Sequence, residues 1–317
     1  MADPTPNPHI DHTSLDAERP AHWTAVLNPA AGRRRGRRQL PAIEAALAAS
    51  TLDVEVRVTS SAADLVDTAT RAFRQGRGVI ACGGDGTVSM VAGIAADHDG
   101  VLGVIPAGSG NDFVRQLLLP RGDVGAAVRA LEHGAVRRVD LGRAEPIDGA
   151  PTWFTTVANA GFDAEANRWA NTVGSLSGTP LYVLAVLRTL RAYRPQPVRV
   201  TVDGTPIETD AWLVAVANTR SYASGMVIAP HASIGDGMLD VCVVGPVSRV
   251  EFLRVFPKVF RGAHVPHPMI TTARGADITI ESLDDTADTK ELWASGERVG
   301  PLPAHLTVKR DALRVIC

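Results

Sequence analysis

Between residues 22 and 118, four short apolar runs alternate with four helical stretches, and this alternation restricts the fold more than any other feature of the 317-residue chain. WTAVLNP (23–29) reads as a strand ending at Pro29, followed by a helix over 37–49 with Leu40, Ile43, Ala46 and Leu47 on one face. VEVRVT (54–59) reads as a second strand and 62–74 as a helix, with Ser60 or Ser61 as its N-cap. GVIACGG (78–84) is a buried strand before a helix over 88–96, and VLGVIPAG (101–108) is another before a helix over 111–118. Such a sequence predicts an α/β domain with a parallel, doubly wound sheet covered on both faces, and ligands bind such sheets at the carboxyl ends of the strands.

After about Asp140 the pattern changes. WFTTVANAGF, VRVTVDG, AWLVAVANT, MLDVCVVGP and ADITIES are β-rich segments separated by Gly, Pro and Asp turns, with helical stretches near 181–193 and 250–260. A β-rich sandwich is expected there. The length suits two domains: an α/β domain over 21–140, to which 297–317 returns, and a β-sandwich over 141–296. Residues 1–20 are polar, Pro-rich and acidic, which predicts a disordered tail and offers no signal-peptide core. A hydrophobic content of 45% excludes a wholly disordered chain, and a formal charge of −2 argues against a nucleic-acid partner. Cys82, Cys242 and Cys317 are too few and too scattered for a disulfide framework or a zinc site. No apolar run approaches the ~20 residues of a membrane span, so a cytoplasmic protein with at most peripheral membrane contact is expected.

The sharpest local feature is Gly83-Gly84-Asp85-Gly86-Thr87, between a strand and a helix. Its glycines let the backbone turn tightly and bring N–H groups close to a ligand, and the helix start adds donors suited to phosphate. Asp85 cannot itself favour an anion; it makes sense if a metal ion or a proton in transfer lies between it and the phosphate. The run is neither the G-x-G-x-x-G dinucleotide fingerprint nor a Walker A loop. A second loop, Pro106-Ala107-Gly108-Ser109-Gly110-Asn111-Asp112-Phe113, ends the next strand, so both loops belong to one crevice. Asn28-Pro29-Ala30-Ala31-Gly32 lines the same edge, and the basic run RRRGRR (33–38) after it is either a solvated helix turn or a phosphate-facing cluster.

These residues resemble the soluble, bacterial-type diacylglycerol kinase family, related to sphingosine and ceramide kinases, over nearly the whole chain after residue 20. The family's N-P-x-x-G is matched by 28–32, its G-G-D-G-T by 83–87, and its P-x-G-T-x-N-D-F by 106–113 with Ser109 for Thr. Gly161-Phe162-Asp163 is similar to its G-F-D, and Asn218 with Ser224-Gly225-Met226 to its N-x(5)-G-G-M, with Ser for one Gly. Pro230 and 234–240 resemble its P-x-A-x-x-x-D-G-x-L-D element.

The resemblance implies transfer of the ATP γ-phosphate to a lipid hydroxyl, with magnesium, a nucleotide-binding first domain, a β-sandwich acceptor domain, and a site in the cleft between them. By carry-over Asn28, Thr59, Gly83, Gly84, Asp85, Gly86, Thr87, Gly108, Ser109 and Asn111 bind ATP. Asp85, Asp112 and Glu297 organise magnesium. Ser233, Asp236 and the Met238 carbonyl match a structural-metal loop of the second domain. The family's closing Asp-Gly-Glu triplet, whose Asp is the general base, reads Ser295-Gly296-Glu297 here. A serine hydroxyl is a poor proton acceptor near neutral pH. Either positioning and charge stabilisation suffice, with Asp85 taking the proton, or the chain is a catalytically impaired relative that binds nucleotide or lipid.

A soluble-metabolite kinase of the NAD-kinase type also explains 83–87, but not 106–113. The partner expected is a lipid at a membrane surface, the inner face of the membrane included, with a homodimer left open. His231, His264 and His267 read as loop residues, and 251–262 as a core-packed amphipathic helix kinked by Pro257.

Overall fold

A computed structural model of the chain describes residues 14–16, 18–28, 35–162, 188–191, 193–284 and 291–317. Outside these lie Pro29–Gly32, the first arginines of the basic run, Asp163, most of the helix expected over 181–193, and the beginning of the tail. The chain divides into two compact units: Met1–Leu141 with Ser233–Gly237 and Lys309–Cys317, and Gly142–Ala232 with Met238–Val308.

Unit 1 opens with β1 (Ser14–Asp16) and continues through β2 (His22–Leu27), α1 (Arg35–Ala48), β3 (Asp53–Val58), α2 (Ala62–Arg74), β4 (Gly78–Gly83), α3 (Asp85–Asp97), β5 (Val101–Pro106), α4 (Asp112–Gln116), α5 (Val124–His133) and β6 (Val136–Pro146). The parallel strands lie in the order β3-β2-β4-β5, and Arg314 and Val315 near the C-terminus run parallel beside β5. From β2 the chain first moves outward to β3, then crosses back to β4 and on to β5. Helices α2 and α3 pack together and α1 packs with α5, so the sheet is doubly wound. Trp23, Ile80 and Ile105 of the sheet pack against Ile43 and Leu47 of α1 and Leu131 of α5.

Two expectations are corrected here. Part of the expected tail is ordered: β1 pairs with β6, Ser14 opposite Arg138 and Asp16 opposite Val136. The Arg19 guanidinium donates to the Leu131 and Gly134 carbonyls, satisfying carbonyls left over at the end of α5. In addition, α3 begins at Asp85 rather than 88, because Gly84 serves as its N-cap and the motif forms its first turn.

Unit 2 contains β7 (Thr152–Phe154), β8 (Val157–Gly161), β9 (Gln196–Val202), β10 (Thr205–Ala211), β11 (Leu213–Ala217), β12 (Leu239–Val244), α6 (Arg249–Val255), a 3₁₀ turn (Phe256–Arg261), β13 (Ile270–Gly275), β14 (Asp277–Ser282), β15 (Glu291–Ala294), β16 (Glu297–Pro301) and β17 (Ala304–Ile316), whose last residues are those already placed in unit 1. One antiparallel sheet runs β13-β12-β11-β8-β15-β16; a second runs β10-β9-β14 and the start of β17. Ala158, Val214, Val216 and Val241 of the first sheet meet Val200, Ile278 and Ile280 of the second as a sandwich core. The other face of the first sheet is apolar too. Leu213, Ala215 and Val244 there pack on Phe162, Trp212, Met226, Phe252 and Val259. Burial on both faces explains why β8, β11 and β12 read as continuous apolar runs.

The expected boundary at 297 is also corrected. Residues 297–301 form β16, held by its hairpin with β15, so the return to unit 1 begins at Lys309. The helix expected over 250–260 is α6 plus the 3₁₀ turn, with Pro257 at the start of the latter, where its missing N–H is tolerated.

Candidate active site

Strands β2 and β4 are neighbours from which the chain departs in opposite directions, and the crevice at such a switch point is where open α/β sheets bind ligands. The residues singled out from sequence in unit 1 gather there. Asn28 N–H donates to the Cys82 carbonyl and the Ala107 N–H to the Gly83 carbonyl, which sets the three loops side by side. The Asn28 amide donates to Thr87 Oγ1 at 3.0 Å, and the buried Thr59 hydroxyl donates to the Leu27 carbonyl. Glycine is obligatory at two places. A Cβ at Gly83 would lie 2.5 Å from Thr87 Cβ, and one at Gly108 would lie 2.5 Å from Gly84 Cα. Ser109 is exposed at the tip of its loop.

The helix starts differ in a way that matters. Ser61 caps α2, Asp123 caps α5 and Ser248 caps α6, each accepting an N–H of the first turn. Gly84 gives α3 no side-chain cap. The N–H groups of its first turn, at the positive end of the helix dipole, are left to a ligand, and an anion suits them.

Asp85 ties this loop to the next one. Its Oδ2 accepts the Asn111 N–H at 2.8 Å and its Oδ1 accepts the Asp112 N–H at 2.7 Å, so Asp85 caps α4 from a different loop. Asn111 itself lies in the left-handed region at φ 51°, which asparagine tolerates. Burial and the neighbouring Asp112 carboxylate push Asp85 up to about 6, against the hydrogen bonds that favour its charged form. Asp112 is 2% exposed and ion-paired with Arg115. The Asn111 Oδ1 is buried and has no hydrogen-bond partner among the described residues. Two adjacent carboxylates and an unspent amide oxygen form a set of hard donors, and magnesium fits such a set, directly or through water.

In unit 2, Ser295 and Gly296 form the two-residue turn between β15 and β16, Ala294 lying opposite Glu297. Both have positive φ, 49° and 87°, the signature of a type I′ turn, whose first position favours Asn, Asp or Gly. Glu297 is exposed at the start of β16. The Ser295 N–H donates to the Val157 carbonyl, and its Oγ lies 3.3 Å from Thr156 Oγ1. Asn218 is fully buried and donates to the Thr155 carbonyl. Ser224 stands at φ 70°, which explains why the family motif carries glycine there. Beside the sheet lies an apolar cavity of about 500 Å³, open to solvent, lined by Phe162, Tyr222, Met226, Phe252, Val255 and Val259 among others.

The loop expected to hold a structural metal is placed differently from the expectation. Ser233 and Asp236 belong to unit 1, not to the sandwich, and Met238 belongs to unit 2. The reason is Asp140, which sequence reading missed: its Oδ2 accepts the Gly237 N–H at 2.7 Å, its Oδ1 accepts the Asp311 N–H at 2.8 Å, and its own N–H donates to the Ile234 carbonyl. Protein hydrogen bonds thus fasten the loop. Among the described residues no group of three or more His, Cys, Asp or Glu is arranged to hold a metal, so no chemistry is drawn through that loop. The histidines are structural: His264 is buried, with Nε2 3.2 Å from the Ile228 carbonyl, and His267 pairs with Glu251. Cys82 and Cys242 are buried and all three cysteines are free.

Comparison with known proteins follows the same division. Residues 22–144 match the diacylglycerol kinase catalytic domain, and residues 156–317 match the YegS C-terminal NAD kinase beta sandwich-like domain. A diacylglycerol kinase of Mycobacterium tuberculosis (strain H37Rv) is 36% identical over 295 residues, covering 92% of this chain and 94% of the relative. That of Bacillus subtilis (strain 168) is 29% identical, covering 88% and 91%. The crystal structure of a diacylglycerol kinase from Bacillus anthracis str. Sterne superposes with a TM-score of 0.74 at 26% identity, covering 94% of this chain and 98% of that one.

Proposed function

The chain belongs to the bacterial diacylglycerol kinase family, a family of phosphotransferases with an alcohol acceptor, and from that premise we propose that it transfers the γ-phosphoryl group of ATP to the hydroxyl of a lipid, diacylglycerol foremost. The observation that carries this reading is the uncapped start of α3 at the switch point, where Gly83, Gly84 and Gly108 keep the backbone bare. The N–H groups of 85–87 and of the 108–111 loop bind phosphate oxygens there, and Asn28 and Thr59 support the loop from the ends of β2 and β3. Asp85, Asp112 and the Asn111 amide oxygen are the residues that would hold magnesium, and Glu297 is proposed as a further ligand on its match to the family triplet. When bound, magnesium supplies positive charge against the phosphates.

The acyl chains of the acceptor take the apolar cavity of unit 2, which a soluble metabolite would not fill. Beside it, Val250 and Leu253 of α6 are exposed together with Lys258 and Arg261 of the 3₁₀ turn. We assign this element to peripheral contact with an anionic membrane surface, on the cytoplasmic side where ATP is available. Among the described residues no helix is long and apolar enough to cross a membrane.

Ser295 favours one second reading, a protein that binds nucleotide and lipid without turnover. Transfer of labelled γ-phosphate from Mg·ATP into organic-extractable lipid, in mixed micelles of a total lipid extract, separates the two. Label is expected in the wild-type lipid fraction, and Ser295→Asp is expected to raise the rate, since general-base catalysis is typically worth ~10²–10⁴-fold. Label only with Ser295→Asp would establish the second reading. No label with either protein would overturn the kinase proposal for this chain.

A further inference from the structure

The end of the first sheet of unit 2 is unusually polar for so buried a place. Thr155, Thr156, Asn218 and Thr219 are all below 5% exposed, and Ser295 lies among them as the half-buried member. Thr156 is fixed from both sides of its backbone: its carbonyl accepts the Asn218 N–H at 2.8 Å and the Thr219 N–H at 3.3 Å, while the following residue, Val157, accepts the Ser295 N–H at 3.0 Å. Its Oγ1 is therefore held at a set point, 3.3 Å from Ser295 Oγ. Ser295 stands in the left-handed region, where a serine is strained by about 1 kcal/mol or more, and such strain persists only where the surroundings impose it.

From this geometry we infer that Thr156 is a positioning residue for the acceptor hydroxyl, a proposal that rests on the lipid-kinase reading above. Each hydroxyl has one proton and two lone pairs. When Ser295 donates to the buried Thr156 oxygen, the lone pairs of Ser295 turn outward and accept a hydrogen bond from the hydroxyl of the lipid. The bond to Thr156 also polarises the Ser295 O–H and strengthens Ser295 as an acceptor. The site thereby recognises a free hydroxyl with a neutral pair rather than with a carboxylate. Thr156 acts only through Ser295, and Ser295 is the residue that touches the lipid.

The test is binding of dioctanoylglycerol and of its 3-O-methyl ether to the full chain, measured by calorimetry without nucleotide. One hydrogen bond of ordinary strength predicts that the wild type prefers the free hydroxyl about five-fold. Thr156→Ser is expected to keep that preference. Thr156→Val and Ser295→Ala are expected to bring the ratio to about one while leaving affinity for the ether unchanged. A Thr156→Val protein that keeps the wild-type ratio overturns the proposal, and so does a loss of affinity for both lipids alike, which marks a purely structural role. A double-mutant cycle with Ser295→Ala adds a second check: the two substitutions together are expected to cost no more than either alone, and additive losses overturn the coupling. A preserved preference in a wild type that labels no lipid supports the hydroxyl pair and overturns the kinase reading alone.

Discussion

The two ends of the proposed chemistry are built from different material. The nucleotide loops of unit 1 are made of main chain: glycines 83, 84 and 108 packed backbone to backbone, an uncapped helix start, and an aspartate that spends both oxygens on the N–H groups of the neighbouring loop. The acceptor end of unit 2 is made of side chains: hydroxyls at one end of a sheet and an apolar cavity beside it. Main-chain donors cannot be replaced by mutation, whereas side chains can. That contrast accounts for where the sequence departs from its family. G-G-D-G-T is intact, while Ser295 and Ser224 replace the family's Asp and Gly in unit 2.

The largest effect expected from this contrast is at Gly108. A methyl group there meets the Gly84 Cα at 2.5 Å and Asn111 Oδ1 at 2.9 Å, and a backbone cannot swing aside as a side chain can. Gly108→Ala should therefore lower kcat/KM for ATP by about 10²-fold, the scale of a misplacement of about 1 Å. Gly84→Ala, whose Cβ would lie 3.2 Å from the Gly108 Cα, should cost visibly less. Nucleotide titrations of both variants give the order directly. Equal and small losses in the two would mean that the loops are not packed as described.

The next effect sharpens the role of Asp85. Its carboxyl is pushed up to about 6, so it is protonated below that pH in the cation-free protein. Because this lies above the ordinary 3.8, the stability it contributes is complete below about pH 4 and is lost as pH rises through about 6. The ionised form is the one that binds a cation. Stabilisation of the fold by added magnesium with ATP should consequently grow between pH 5 and 7, and kcat/KM should fall about tenfold per unit below about 6. In Asp85→Asn the thermal shift should be flat over that range and activity largely lost. A wild-type profile without this limb would remove Asp85 from the site.

How far the sequence reveals all this depends on the range of each interaction. Strand and helix order in unit 1 was legible because apolar period and local caps such as Ser61 act within a few residues. The motif loops were legible because three glycines in four positions have few other uses. The start of α3 was misplaced by three residues because Gly84 and Gly86 look like loop when read alone. The ordered strand β1 was missed because SLD carries no apolar alternation and owes its pairing to β6. The true course of unit 1 was hidden for a stronger reason. It depends on one carboxylate, Asp140, reaching Gly237 and Asp311, 97 and 171 residues away. Thr156 gave no signal either: two threonines before a strand are ordinary, and only the fold sets one of them against Ser295.

The smallest expected effect separates conformation from chemistry at Ser295. The first position of a type I′ turn asks for a residue that accepts positive φ, so the family's Asp serves both as a turn former and as a proton acceptor, and the two uses can be divided. Ser295→Gly should relieve the left-handed strain, worth about 1 kcal/mol, and raise the melting temperature by ~2–4 °C while removing the hydroxyl that faces the lipid. Ser295→Asp should give a similar thermal gain together with faster lipid phosphorylation. Calorimetric scans and lipid phosphorylation rates on the two variants therefore form a pair of opposites: stability rises in both, activity in one. Were Ser295→Gly to leave the melting temperature unchanged, the turn would carry no strain, and the replacement of Asp by Ser would be a matter of proton chemistry alone. Were both variants to gain stability and neither to gain rate, phosphoryl transfer in this chain would be limited by the main-chain loops of unit 1, and the side chains of unit 2 would set only which hydroxyl is admitted.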